Sequence, residues 1–266
     1  MKHQSLPALL DPVVSLCETA AAHIMGIYAR EFTITSKEDN SPLTEADLAS
    51  HRILVRGLSA LTPDIPVLSE ESADVPWEER QQWERYWLVD PLDGTKEFIN
   101  RNGEFTVNVA FIENGVAALG VVSAPVLNCT WYAAKGVGAF RRRNATHGEA
   151  IYTRACPTPP VIVASRSHRS ERLQAYLAEL GEHEDISCGS SLKFCRIAEG
   201  AADCYPRLGP TSEWDTAAGQ CVVEQAGGRV VVAGGAPLMY NSKESILNPE
   251  FLVIGDHERQ FPDIPA

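Results

Sequence analysis

One abrupt change of chemistry constrains this chain more than any other feature. Tyr86-Trp87-Leu88-Val89 is an apolar burst between charged stretches and reads as a buried strand. It runs straight into Asp90-Pro91-Leu92-Asp93-Gly94-Thr95, so a core strand has to end on two carboxylates. Pro91 pre-sets a tight turn that aims both carboxylates into one space, and Gly94 lets the backbone approach a ligand closely. A hard cation such as Mg²⁺ takes several oxygen ligands, and the Leu92 carbonyl supplies another. The N–H groups of Gly94 and Thr95 open a short helix over residues 96–99, where an anion meets unpaired donors. The competing structural explanation is an Asp-Gly turn in which Asp93 caps that helix.

Two further acidic sites point the same way. Pro66-Val67-Leu68-Ser69-Glu70-Glu71 sets two carboxylates directly after a short apolar strand, and Trp214-Asp215 leads into the small-residue helix Thr216-Ala217-Ala218-Gly219. In isolation the glutamates read as a solvated loop and Asp215 as a helix N-cap.

Around these sites the chain changes character. Residues 8–30 and 44–61 carry apolar residues at helical spacing, the second helix entered through Pro42. Residues 105–112 and 116–122 flank Glu113-Asn114-Gly115 and make a hairpin, which 129–134 and 138–142 extend into an antiparallel meander. The second half alternates: strand 161–164, helix 171–180, helix 192–199 ended by Gly200, strand 202–205, helix 216–225 stopped by Gly227-Gly228, strand 229–232. This order suggests two halves that share layers of sheet and helix, residues 1–155 and 156–266, with a boundary near the clustered Pro157, Pro159 and Pro160. At 266 residues, one large domain or two packed halves fit equally.

Composition excludes several classes. The formal net charge is −12, from 23 Lys+Arg against 35 Asp+Glu, which argues against non-specific nucleic-acid binding. The run Arg141-Arg142-Arg143 is short and reads as a solvated strand end or turn. An acidic chain still binds an anion where divalent metals reverse the local field. The first ten residues are too short an apolar run for a signal peptide, and no stretch reads as long enough to span a membrane. Seven scattered cysteines without a C-x-x-C pair read as reduced thiols of a cytoplasmic protein, so the Asn-x-Thr triplets at Asn128 and Asn144 carry no glycosylation meaning. Ser190-x-x-Lys193 mimics a β-lactamase motif but lacks its partner motifs, and Gly136-Val137-Gly138 lacks the third glycine of a dinucleotide fingerprint.

Taken together, Glu70-Glu71, Asp90 to Thr95, and Trp214 to Gly219 resemble the spaced signatures of the inositol monophosphatase superfamily of lithium-sensitive phosphatases, over nearly the whole chain. The resemblance implies an αβαβα fold and hydrolysis of a phosphomonoester with two or three Mg²⁺ ions. It implies that Glu70, Asp90, the Leu92 carbonyl, Asp93 and Asp215 are metal ligands. Thr95 with Glu70 would orient the attacking water, and Asp47 would hydrogen-bond Thr95. Glu71 has no assigned role beyond supporting the site. Metal ligands, Gly94 and Thr95 together would surround the reacting phosphate.

Within the superfamily, Lys96-Glu97-Phe98, Asn40-Ser41-Pro42, Arg101 to Phe105, Gly189 to Phe194 and Tyr205-Pro206-Arg207 resemble bacterial 3′(2′),5′-bisphosphate nucleotidases, which convert adenosine 3′,5′-bisphosphate, a by-product of sulfate activation, to AMP. Ser190, Lys193 and Arg207 then match contacts to the distal phosphate, and His168 a residue lining the nucleotide pocket. Without the resemblance, Lys193 reads as a solvated helix charge and Arg207 as part of a surface ion pair. An inositol or sugar phosphate phosphatase is the nearer alternative, and a non-catalytic metal-dependent binding protein the more distant one. The implied partner is a small anionic metabolite, with no nucleic acid and no membrane insertion; related enzymes also associate peripherally with the inner membrane.

Overall fold

Period-two alternation in one strand sets the layers. In the computed structural model, which describes residues 5–36, 42–144, 146–164 and 170–264, the long strand Arg85–Asp93 sends Trp87 and Val89 to one apolar core and Tyr86 and Leu88 to another. A strand buried on both faces needs cover on both sides. The chain provides it as five layers.

The first layer is a pair of helices, α1 (Leu6–Tyr28) and α2 (Glu45–Leu61), with the short ribbon β1 (Ile34–Ser36) and β2 (Pro42–Thr44) between them in sequence. Leu9, Val13, Val14 and Ile24 of α1 and Leu54 and Leu58 of α2 pack on the large sheet. That sheet runs in the order β3 (Val67–Ser69), β4 (Arg85–Asp93), β5 (Thr106–Glu113), β6 (Val116–Ala124), β7 (Cys129–Ala134), β8 (Gly138–Arg143) and β9 (Glu149–Ala150). Only the β3–β4 pair is parallel; the rest is the meander expected from sequence. The short helices α3 (Trp77–Arg80) and α4 (Thr95–Ile99) flank β4. Asn114 (φ 51°) and Gly115 (φ 76°) make the β5–β6 connection, both in the left-handed region that a two-residue hairpin turn of the primed kind requires.

After β10 (Val161–Ala164), α5 (Glu171–Leu180) and β11 (Glu184–Ser187), the chain enters the middle layer with α6 (Leu192–Ala198) and returns to it with α7 (Ala217–Gln225). Phe194, Cys195, Ala218 and Val222 share one core with Leu88, Ala110 and Val122 on the large sheet's second face, and the same core continues into Tyr205, Val230 and Phe251. Those last belong to β12 (Cys204–Arg207), β13 (Arg229–Val232) and β14 (Phe251–Ile254), members of a five-stranded sheet in the order β11-β10-β12-β14-β13. Helix α5 closes the outer side, with Leu173, Tyr176 and Leu177 on Ile162, Ala164, Leu252 and Ile254. The order of layers is αβαβα, as expected.

The structure departs from the sequence reading in several places. Strand β14 is a four-residue apolar run that periodicity leaves open between strand and helix, and β11 is a half-exposed polar edge strand without an apolar signal. Helix α1, 23 residues long, is long and apolar enough to cross a membrane by length and composition, contrary to the expectation that no stretch is. Its apolar stripe, however, is the one that packs on α2 and the large sheet. The arginine run is not a simple solvated end: Arg141 pairs with Glu149 and Glu199, and Arg142 with Glu18. None of the seven cysteines forms a disulfide, and all but Cys156 are buried.

The middle layer depends on close approach at Gly120. A Cβ there would sit 2.3 Å from the Ala218 carbonyl oxygen and 2.9 Å from the Cys221 Cβ. Gly120→Ala is therefore expected to destabilise the protein by about 1–3 kcal/mol, since α7 must shift to accept it. A denaturant midpoint that falls with unchanged slope is the expected result; an unchanged midpoint would mean that α7 is not seated this closely.

Candidate active site

Asp90 and Asp93 are three residues apart, so in a regular strand they would face opposite sides of the sheet. They do not. Asp90 pairs with Asn108 and Asp93 with Thr106, so three steps on β4 oppose two on β5, and the extra residue is a bulge at Pro91-Leu92. The bulge returns Asp93 to the face that Asp90 shares with Leu88, against the middle helices. This corrects the tight turn expected at Pro91: the strand continues through the proline to Asp93. Ser50 of α2 donates to the Pro91 carbonyl (2.7 Å), and the Leu92 N–H donates to Asp90 Oδ1 (3.0 Å), which fix the bulge from both sides.

The third carboxylate arrives from the other half of the chain. Asp215 ends the one-turn 3₁₀ helix Glu213–Asp215 just before α7, and its Oδ2 accepts from the Ser212 N–H (2.9 Å). It does not cap α7, and Gly94, not Asp93, occupies the cap position of α4. Both simple capping explanations therefore fail: neither acid caps the α-helix that follows it. Oxygens of Asp90, Asp93 and Asp215 lie within 4.8 Å of one another. Glu70 opens the turn Glu70–Ser72 after β3; it stands outside this trio but hydrogen-bonds Asp90 and adds its charge to the cluster.

Crowding has an electrostatic consequence. Burial first, then the charges of Glu70, Asp93 and Asp215, push the Asp90 carboxyl well above the usual carboxylate range. Asp215 is pushed up to about 8, by burial and then by Asp93, while the Ser212 N–H and the more distant Arg207 pull the other way. Such a group of oxygens holds protons only for want of a better cation. A compact, all-oxygen set of carboxylates is what a hard divalent metal binds.

Thr95 stands beside this cluster. Its Oγ1 donates to Asp47 Oδ1 (3.1 Å), with a longer contact to the Leu92 carbonyl (3.4 Å). The second Asp47 oxygen accepts from both Thr44 N–H (2.8 Å) and Thr44 Oγ1 (2.5 Å), as the capping box of α2. One buried carboxylate thus starts a helix and positions Thr95, and burial raises its pKa.

A cavity of about 300 Å³ opens beside the cluster, and its lining includes Asp93, Gly94 and Asp215 as well as Ser190, Lys193 and Arg207. Lys193 is buried, not a solvated helix charge; its Nζ donates to the Ser190 carbonyl (2.6 Å) and lies 5.5 Å from the Tyr205 ring centre. Arg207 makes no carboxylate pair among the described residues: Nη2 donates to the Pro210 carbonyl (2.5 Å), and its buried Nε has no partner. His168 and the Asn40-Ser41 pair lie outside the described residues.

Several polar groups of the site were missed in the sequence. The Ser191 N–H donates to Asp93 Oδ2 (2.6 Å), beside Ser190 Oγ on the same oxygen (2.5 Å). Thr106 and Asn108 reach these serines from β5. The signal was present: two polar residues at alternate positions of an otherwise apolar strand, on the face where the carboxylates converge.

A model of the inositol monophosphatase family matches residues 7–259. This chain belongs to that family. The 3′(2′),5′-bisphosphate nucleotidase CysQ of Escherichia coli O157:H7 is 53% identical over 248 residues, covering 92% of this chain and 99% of that protein. CysQ of Haemophilus influenzae is 37% identical over 254 residues, 93% of each chain. The crystal structure of CysQ from Bacteroides thetaiotaomicron, a bacterial member of the inositol monophosphatase family, superposes with a TM-score of 0.81 at 40% identity, covering 94% of this chain and 97% of that one. Inositol monophosphatases are metal-dependent phosphatases that generally use Mg²⁺, and the converging carboxylates suit such a cation.

Metal and protons should therefore compete. With Asp215 raised to about 8 in the bare site and near 3.9 unfolded, the folded chain holds more protons between those values. Its metal-free stability falls as pH rises through that window. Mg²⁺ removes the penalty, so the increase in Tm that Mg²⁺ produces should grow from pH 5.5 to pH 8 (about these limits, set by the same linkage). A Mg²⁺-induced shift that is flat or shrinks over this range would contradict the electrostatics described.

Proposed function

We propose that this chain is a Mg²⁺-dependent 3′(2′),5′-bisphosphate nucleotidase that hydrolyses adenosine 3′,5′-bisphosphate to AMP and phosphate. The observation that carries the proposal is a single cavity whose lining includes two of the converging carboxylates, Asp93 and Asp215, together with the cations Lys193 and Arg207. A substrate with one phosphate to cleave and a second to hold needs both kinds of group. The CysQ relatives support the same reading.

We assign Glu70, Asp90, the Leu92 carbonyl, Asp93 and Asp215 as ligands of two or three ions. Bound Mg²⁺ supplies charge neutralisation at the phosphate and lowers the pKa of the attacking water. The protein's own groups do the rest. Thr95 has its hydroxyl proton committed to Asp47, so its lone pairs face outward and accept a hydrogen bond from the incoming water. Glu70 orients that water from the other side. Asp47, with its pKa raised by burial, is suited to take the proton that Thr95 relays. The amides of Gly94 and Thr95 face the phosphate oxygens. Lys193 and Arg207 hold the distal phosphate, and Ser190, whose hydroxyl donates to Asp93 Oδ2, fixes Lys193 through its carbonyl. In this reading residues 1–155 bring most of the metal site, and residues 156–266 bring Asp215 and the basic wall.

Phosphate release from adenosine 3′,5′-bisphosphate, adenosine 3′-monophosphate and inositol 1-phosphate, with and without Mg²⁺, tests the proposal. The bisphosphate should be preferred and Mg²⁺ required. Removing Lys193 or Arg207 should cost about 1.5–3 kcal/mol on the bisphosphate, roughly 10- to 150-fold in kcat/KM. The monophosphates should change little. Equal losses on every substrate would assign these residues to folding or to the metals instead. Asp93→Asn should abolish turnover while leaving the fold intact, and near wild-type turnover at saturating Mg²⁺ would refute its role as a ligand.

A further inference from the structure

Three hydroxyls stand between β5 and the start of α6, all in contact. Thr106 Oγ1 lies 2.6 Å from Ser190 Oγ and 2.7 Å from Ser191 Oγ. Ser190 Oγ is 2.5 Å from Asp93 Oδ2, and Ser191 Oγ is 2.7 Å from the Asn108 side chain. Thr106, Ser191 and Asn108 are buried, so water does not complete their bonding.

Counting protons decides the direction of these bonds. If the Asn108 oxygen faces Ser191, then Ser191 spends its proton on Asn108 and Ser190 spends its own on Asp93. Thr106 has one proton left for two short contacts, so one oxygen pair meets with no hydrogen between. The same orientation leaves Asn108 Nδ2 buried without a partner. Exchanging the amide's oxygen and nitrogen, which heavy-atom positions alone do not distinguish, removes the first fault; the unpartnered position then holds the amide oxygen instead of a buried N–H. Each contact then has one donor.

We propose that Thr106 and Asn108 are positioning residues for the metal site, through a one-way chain Asn108 Nδ2–H → Ser191 → Thr106 → Ser190 → Asp93 Oδ2. The chain delivers a hydroxyl proton to Asp93 Oδ2, which the Ser191 N–H also approaches at 2.6 Å. With Oδ2 saturated, Oδ1 is the oxygen turned over to a cation. The same bonds hold Ser190 in the left-handed region (φ 53°), a strained conformation for a non-glycine residue. Ser190 is gripped from the cavity side too, by Lys193 on its carbonyl. One residue therefore ties the geometry of the metal ligand to the wall assigned to the distal phosphate. The chain rests on the proposed metal site but not on the identity of the substrate.

Its test uses the whole protein without substrate, so failure of the nucleotide assignment would leave the readout untouched. Mn²⁺ affinity is measured by calorimetry, alongside the metal-free Tm, for Thr106→Val, Thr106→Ser and Ser191→Ala. Thr106→Val keeps the shape and removes the central hydroxyl, and it should weaken Mn²⁺ binding by roughly two- to tenfold, the scale of one lost neutral hydrogen bond behind the Ser190–Asp93 contact. Thr106→Ser should recover most of that loss. Ser191→Ala breaks the chain from the α6 side and should weaken binding similarly, which keeps the test open if the valine variant does not fold. Wild-type affinity in either broken variant would overturn the proposal, as would a serine variant no better than valine. A neutron structure of the deuterated protein provides the direct view: deuterium on an Asn108 nitrogen facing Ser191 supports the chain, and deuterium on Ser191 pointing to an Asn108 oxygen overturns it.

Discussion

Everything else in this molecule is arranged around the mutual repulsion of three carboxylates. Asp90, Asp93 and Asp215 bring oxygens within 4.8 Å of one another, which a flexible chain would avoid. Each is held by a different device: Asp90 by a buried strand end and the Leu92 N–H, Asp93 by a bulge and two serines, Asp215 by a one-turn helix closed on Ser212. The five layers supply the rigidity these devices need. Strand β4 is packed on both faces, so its end cannot swing away, and the middle helices clamp Asp215 and the serines against it. The site needs distant parts of the chain, because Asp215 lies far from Asp90 and Asp93 in sequence.

Much of this was readable in the sequence, for physical reasons. Helices and hairpins with clean periodicity, such as α5, β7, β10 and β13, fall where the pattern places them, and the acidic motifs point to one centre. The bulge was not readable. Period-two logic puts Asp90 and Asp93 on opposite faces, and only the strand register shows that an extra residue cancels the alternation. The expectation of a tight turn reached the right convergence by the wrong geometry. Lys193 was misjudged in isolation because a lysine on a helix usually reaches solvent. Its helix is buried on nearly every side, which the run Leu192 to Ala198 already suggested through its apolar neighbours.

The cavity also explains how an acidic protein takes an anionic ligand. The net charge of −12 repels such a molecule at a distance. Locally the balance reverses if the carboxylates are covered by divalent cations, with Lys193 and Arg207 lining the same cavity. Metal binding and substrate binding are then linked by charge as well as by geometry: the carboxylates alone would exclude a bisphosphate. Asp47 shows the same economy in a smaller space, because one buried side chain both starts α2 and orients Thr95.

The direct measurement is crystallographic. Crystals soaked in Mn²⁺, which takes the same octahedral oxygen sites as Mg²⁺, give an anomalous signal that distinguishes the cation from water and the lighter protein atoms. A peak bounded by Asp90, Asp93 and Asp215, with Asp93 contributing Oδ1, is the predicted result. Full Mn²⁺ occupancy elsewhere with no peak among these three carboxylates would contradict the central claim that the fold exists to hold them together for a metal.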